Sequence, residues 1–238
     1  MKSKLLIVSL LLLSACSAKD MQQTLDLINA NIEQTQLSEQ EVVAALKDAL
    51  AQGISRGAGQ AAALDGYYGN PMLRIEFPPA VSKVESALRD IGLGGEVDKF
   101  VMQLNRGAEQ AASRAKPVFI KAITSMSIED AFSILKGAPD AATQYLRKTT
   151  GAELRKEFAP IISSSLNETS ATRNYADIVN RYNGLPLVRK VDPDLEAYAS
   201  ERAIDGLFLL VAQEEANIRA NPAARASALL RRVFGSLD

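Results

Sequence analysis

The chain has 238 residues, 47% of them hydrophobic, and its 27 basic and 28 acidic side chains leave a formal charge of −1, a balance suited to a packed core in one large domain or two closely packed ones. With no histidine, no tryptophan and a single cysteine, it excludes Ser-His-Asp and Cys-His nucleophilic chemistry, histidine-zinc sites and internal disulfides. Carboxylate, lysine or tyrosine chemistry and oxygen-ligated metals stay open, whereas the weakly acidic balance argues against nucleic acid as a partner.

Met1-Lys2-Ser3-Lys4 places two positive charges ahead of an apolar run from Leu5 to Leu13. That run is too short to span a bilayer, which needs about 20 residues, so residues 1–15 read as an export signal. Leu13-Ser14-Ala15-Cys16 then resembles the lipobox of bacterial lipoproteins, with Leu13, Ser14 and Ala15 as the signal-peptidase recognition residues. The resemblance implies cleavage before Cys16, a thioether to diacylglycerol on its thiol and acylation of its new amino terminus. A plain exported chain with an incidental cysteine is the alternative. Each buried methylene of an acyl chain is worth about 0.8 kcal/mol, so two or more chains make a lasting membrane tether. Cleavage removes Lys2 and Lys4, leaving 25 basic against 28 acidic residues, a net charge near −3. Ser17 follows the cysteine where an Asp would retain an enterobacterial-type lipoprotein in the inner membrane, so the resemblance points to the periplasmic side of the envelope and to the outer membrane.

Beyond Asp20 apolar residues recur at three and four, the period of helices with one buried face. The expected fold is all-α: a compact bundle of about nine or ten helices with one long irregular loop, covering residues 38–238 as one domain. Asp20 caps a tether helix to about Gln36 through Leu25, Ile28 and Ile32, within the lipidated segment 16–37. Ser38 and Glu41 form a capping box for a second helix through Val42, Leu46 and Leu50. There Ala49, Gly53, Gly57 and Ala61 line one stripe with little bulk. Such a stripe serves either a membrane dimer face or a close soluble contact, and the adjacent Arg56 and Gln60 favour the second. Glycine costs about 1 kcal/mol relative to alanine within a helix, so Gly57 is also a candidate break.

Residues 64–79 do not read as helix. Leu73, Ile75 and Phe77 alternate with Arg74 and Glu76, the pattern of an extended arm with one apolar side. Long loops are often functional and tyrosines suit recognition surfaces, so Tyr67, Tyr68, Arg74 and Phe77 are candidate binding residues. The alternative is a crossover whose aromatics pin it to the core.

Helical periodicity resumes at Val81, Val84, Leu88 and Ile91 and stops at Gly92-Leu93-Gly94-Gly95. A long helix follows through Val97, Phe100, Val101, Leu104, Ala108, Ala111 and Ala115. Lys116-Pro117 marks a break before Phe119, Ile120 and Ile123. Ser127 and Asp130 form a second capping box, with Ile128, Ala131, Phe132 and Leu135 as the buried face. Tyr145-Leu146 and the run from Leu154 to Ile162 read as separate helices divided at Thr150-Gly151. Another helix carries Tyr175, Ile178, Val179 and Tyr182. Asp192-Pro193 is a start signal for a helix from Leu195 to Ile218, and Asn221-Pro222 for a last one closing with Leu229, Leu230, Val233 and Phe234.

Val84-Glu85-Ser86-Ala87-Leu88-Arg89, Ile91-Gly92-Leu93-Gly94, Asn105-Arg106, Ala115-Lys116-Pro117, Ile128-Glu129-Asp130-Ala131, Asp205-Gly206-Leu207-Phe208, Glu214-Glu215 and Asn221-Pro222-Ala223-Ala224-Arg225 together resemble the bacterial family known as domain of unknown function 4197. The resemblance spans nearly all of residues 38–235. It implies an exported protein or lipoprotein and supplies no activity.

The remaining polar candidates each have two readings. Asp205 interrupts the most apolar helical stretch, as a structural polar contact, with Arg202 three residues before it, or as a ligand-binding or catalytic carboxylate. Asn105, Glu109, Ala112 and Lys116 share a helical stripe that is either a polar groove or a solvated face. Glu215 has Arg219 four residues on, the spacing of a surface pair. These features lead to the expectation of a non-enzymatic envelope lipoprotein, a binding or scaffold protein, without cofactor or metal, whose partners are the membrane through Cys16 and an envelope protein or apolar ligand. The alternative is a carboxylate-dependent hydrolase or lyase on cell-wall glycan, which needs two acids among Glu109, Glu129, Asp130, Asp205, Glu214 and Glu215 to line one cleft.

Overall fold

The computed structural model describes residues 38–79, 89–167 and 194–221 and a few isolated positions between them. The export signal, Leu13, Ser14, Ala15, Cys16, the tether helix, the Val81–Leu88 and Tyr175–Tyr182 segments, Asp192-Pro193 and the last expected helix lie outside these residues, apart from isolated positions. All regular structure among the described residues is helical. It comprises α1 (Glu39–Ala62), a π-type turn (Arg89–Leu93), α2 (Gly94–Ala112), α3 (Ala115–Thr124), α4 (Ile128–Lys136), α5 (Ala141–Asn167) and α6 (Leu195–Ala220). The count of nine or ten helices is not reached within the described residues.

Local chemistry sets most boundaries. Ser38 accepts from the N–H of Glu41 while the Glu41 carboxylate accepts from the N–H of Ser38, and Ser127 and Asp130 do the same at α4. These reciprocal bonds satisfy donors that a helix start otherwise leaves unpaired. Gly92 turns the chain with φ at 88°, a left-handed conformation suited to glycine, just before α2. The expected break near Lys116-Pro117 lies earlier, at Ser113-Arg114, because Pro117 sits in the first turn of α3, where its missing N–H costs nothing. At α6 the cap is Asp194, whose carboxylate accepts from the N–H of Ala197.

Two expectations need correction. Thr150-Gly151 does not divide a pair of helices: α5 runs unbroken for 27 residues. Ala142, Leu146, Thr150, Leu154, Phe158 and Ile162 recur every fourth residue on its buried side, and the Thr150 hydroxyl donates to the Leu146 carbonyl, so no polar group there is stranded. Ile128, expected on the buried face of α4, is 46% exposed at its first position.

Helix α6 packs against α1, α2 and α5, and α2 packs against α5. The small-residue stripe of α1 forms the seam with α6. A Cβ placed on Gly57 would lie 3.5 Å from Leu210, and one on Gly53 would lie 3.4 Å from Glu214 Cβ and from Ile218 Cδ1. Both are ordinary contact distances, and α1, packed against α6, continues through Gly57 without a break despite the intrinsic cost of two glycines.

Candidate functional site

The chain leaves α1 at Ala63 and does not resume regular structure before Pro79. Glycines make the first bend possible. A Cβ on Gly66 would meet the carbonyl oxygens of Gln60 at 2.3 Å and Ala61 at 2.6 Å, and one on Gly69 would lie 2.8 Å from Asp65 Cβ. Asp65 itself is left-handed, with φ at 63°.

The inner side of this loop is core. Tyr67, Leu73, Ile75 and Phe77 are all buried, and the Phe77 ring packs on Phe100 with centroids 5.1 Å apart. The Tyr67 hydroxyl donates to the Ala203 carbonyl on α6, and Gly206 one turn later makes room for the ring: a Cβ there would lie 2.9 Å from Tyr67 Cε1. Burial pushes the Tyr67 phenol well above the ordinary tyrosine range, and the nearby Glu109 charge pushes it the same way. Tyr67 and Phe77 therefore anchor the loop to the core.

Two polar side chains of α2 fix the loop backbone from beneath. Asn105 Oδ1 accepts from the N–H of Ile75 at 2.8 Å, while its amide nitrogen donates to the carbonyls of Ile75 and Val101, each at 2.8 Å. The carboxamide thus pairs with both backbone groups of Ile75, as a neighbouring strand would. Glu109 Oε1 accepts from the N–H groups of Tyr67 at 3.2 Å and Tyr68 at 3.1 Å; Oε2 accepts from Arg106 at 2.6 Å. Arg106 continues to Asp65 at 2.8 Å. Above this network the Tyr68 ring lies under the guanidinium carbons of Arg74 at 4.5 Å and Arg106 at 5.4 Å, within cation–π range. Arg74 Nε sits 2.7 Å from Glu76 Oε1, a charge contact off the line of its N–H and without the geometry of a hydrogen bond.

The stripe Asn105, Glu109, Ala112, Lys116 is consequently neither groove nor solvated face. Asn105, Glu109 and Ala112 are buried, and Lys116 is exposed on the next helix. The loop gathers Tyr67, Tyr68, Arg74, Phe77, Asn105 and Glu109; Asp205 is not part of that set. It pairs with Arg147 at 2.9 Å and Arg202 at 2.8 Å on the α5–α6 surface, where Arg147 also lies over the Phe208 ring at 4.5 Å.

Sequence spacing missed the role of Glu215. Its pair with Arg219 exists, with Glu215 buried and Arg219 half-buried, and the carboxylate also accepts from the N–H groups of Ala142 and Thr143 and from the Thr143 hydroxyl, at 3.0, 2.8 and 2.7 Å. A side chain of α6 thereby caps α5, whose first turn contains no acid. Arg219 reaches on to the Ile134 carbonyl near the end of α4. The signal available was that acid-free first turn, which leaves donors needing an outside acceptor.

The acids proposed for paired catalysis are dispersed. Glu109 holds the loop, Glu214 pairs with Arg56 at 2.7 Å, Glu215 caps α5, Asp130 caps α4, Asp205 bridges two arginines and Glu129 lies exposed on α4. Among the described residues no three Asp, Glu, Cys or His side chains cluster to hold a metal ion, and no helix is long and apolar enough to cross a membrane. The outer side of the loop is apolar at two points that sequence reasoning did not single out: Leu64 is 77% and Met72 63% exposed.

No curated protein and no solved structure matches the chain. The family described as Protein of unknown function (DUF4197) matches residues 36–235, a span that takes in the loop, its α2 supports and the Glu215 cap, and the chain belongs to that family.

Proposed function

We propose that the protein is a bacterial envelope lipoprotein with a non-enzymatic binding or scaffold role, held by lipid on Cys16, and that the outer side of loop 63–79 receives a protein or apolar ligand. The observation that carries this reading is a loop backbone fixed by Asn105 and Glu109 while Leu64 and Met72 face outward. A rigid loop with exposed apolar tips binds without first losing conformational freedom, which is how preorganisation adds affinity. Its position supports the same reading. Helix α1 has 24 residues, about 36 Å of rise, and the loop follows its far end while the expected tether joins near Ser38. The two basic residues, short apolar run and Leu13-Ser14-Ala15-Cys16 support export and lipidation, and Ser17 favours the outer membrane.

The test is to express the full chain and its Cys16→Ser variant in a bacterial host supplied with a labelled fatty acid. The expected result is label and membrane fractionation for the parent and loss of both in the variant. Equal fractionation without label would overturn the tether.

A further inference from the structure

Methionine is oxidised where its sulfur is accessible, and the product exchanges an apolar side chain for a polar, chiral one. The described residues hold three methionines. Met72 is 63% exposed on the loop, Met102 is half-buried on α2 and Met126 is 3% exposed. The Met72 sulfur lies 3.9 Å from Nε2 of Gln213 on α6, an amide donor facing a thioether that accepts hydrogen bonds only weakly. An oxygen added to that sulfur is a much better acceptor, and its donor is already in place. The backbone around it is secured independently: the N–H of Met72 donates to Asn70 Oδ1, those of Leu73 and Arg74 to the Asn70 carbonyl, and that of Ile75 to Asn105.

We propose that Met72 is an oxidation site of the folded protein, that Gln213 receives the sulfoxide oxygen, and that the change turns the outer side of the loop from apolar to polar with the fold intact. With hydrogen peroxide as oxidant, the thioether sulfur attacks the peroxide oxygen. The S–O bond forms as the O–O bond breaks, and the departing hydroxide takes the proton carried by the transferred oxygen and leaves as water, which leaves the neutral sulfoxide. Sulfur loses two electrons and the peroxide gains them. Because the oxygen bonds to one amide on one side of the sulfur, one sulfoxide epimer is favoured. The consequence for partner binding rests on the loop being a recognition surface; the oxidation and its stereochemistry do not.

The test treats the folded full chain with graded hydrogen peroxide, follows each methionine by peptide mass spectrometry, and reads the Met72 epimers with the two stereospecific methionine sulfoxide reductases. Met72 should oxidise at least about tenfold faster than Met126, with an unchanged unfolding midpoint. One epimer should exceed the other at least about threefold in the parent and fall to near parity in Gln213→Ala, an exposed substitution that spares the core. Equal rates at Met72 and Met126, or the same epimer ratio in parent and Gln213→Ala, would overturn the proposal. A chain that passes both tests, yet whose loop engages no partner, would leave the oxidation site standing and remove the recognition reading alone.

Discussion

Replacing Glu109 with alanine strips the loop of the acceptor shared by two consecutive backbone N–H groups, those of Tyr67 and Tyr68. A buried donor left without a partner costs about 1–3 kcal/mol. The Tyr67 N–H is buried and takes the upper part of that range; that of half-buried Tyr68 can recruit water and takes the lower part. Arg106 keeps Asp65 as a partner, so its loss adds little. The total is about 3–5 kcal/mol, a large share of the 5–15 kcal/mol that stabilises a typical domain. Glu109→Gln retains one oxygen, enough for the two amides or for Arg106 but not for both, and should fall near half the alanine cost. Urea unfolding at neutral pH measures both variants. If Glu109→Ala costs less than about 0.5 kcal/mol, the ordinary range for an uninvolved surface site, the buried apolar residues alone hold the loop and the role assigned to Glu109 is wrong.

Gly206→Ala forces a Cβ to within 2.9 Å of Tyr67, whose hydroxyl is tied to Ala203, and should destabilise by about 1–3 kcal/mol net of alanine's better helix propensity. Gly57→Ala meets Leu210 at ordinary contact distance and should be neutral or stabilising by up to about 1 kcal/mol, and calorimetry of the pair separates the cases. Because the fold holds the Tyr67 phenol protonated to higher pH than the unfolded chain does, its contribution is complete below about pH 10 and is lost as pH rises toward the folded-state value. Tyr145 and Tyr198 are also raised by burial and act with the same sign, so Tyr67→Phe should reduce, without abolishing, the alkaline loss of stability in urea melts. Glu215→Ala uncaps α5 and removes the carboxylate that pairs with Arg219, which keeps the Ile134 carbonyl. It should cost about 2–5 kcal/mol and selectively speed hydrogen exchange at Ala142 and Thr143, and unchanged exchange there would refute the cap.

What could be read from sequence was local. Both capping boxes lie within three residues of chain, and the Ala49–Ala61 stripe follows from helix period alone, so these were legible and correct. The functions of Asn105, Glu109 and Glu215 were not, because their partners lie 30, 41 to 42 and 72 to 73 residues away. Helical spacing says which face a residue shares, not whether a loop crosses that face, and so buried acceptors passed for a polar stripe. The burial of Tyr67 and Phe77 was not legible for the reverse reason: tyrosine and phenylalanine serve surfaces and cores alike, and it is the space at Gly206 and the ring of Phe100 that receive these two. Thr150-Gly151 carried a break signal that the four-residue burial repeat of α5 overrides.

The recognition reading of the loop is tested most directly by placing a photo-crosslinking residue at Met72, or separately at Ile128, in the full chain within bacterial cells. Both positions are exposed, at 63% and 46%, but only Met72 belongs to the loop. The expected result is a discrete adduct at Met72 that is absent at Ile128 and disappears when Leu64→Asp is added; the same pattern at both positions, or an adduct indifferent to Leu64→Asp, would rule out recognition through the loop.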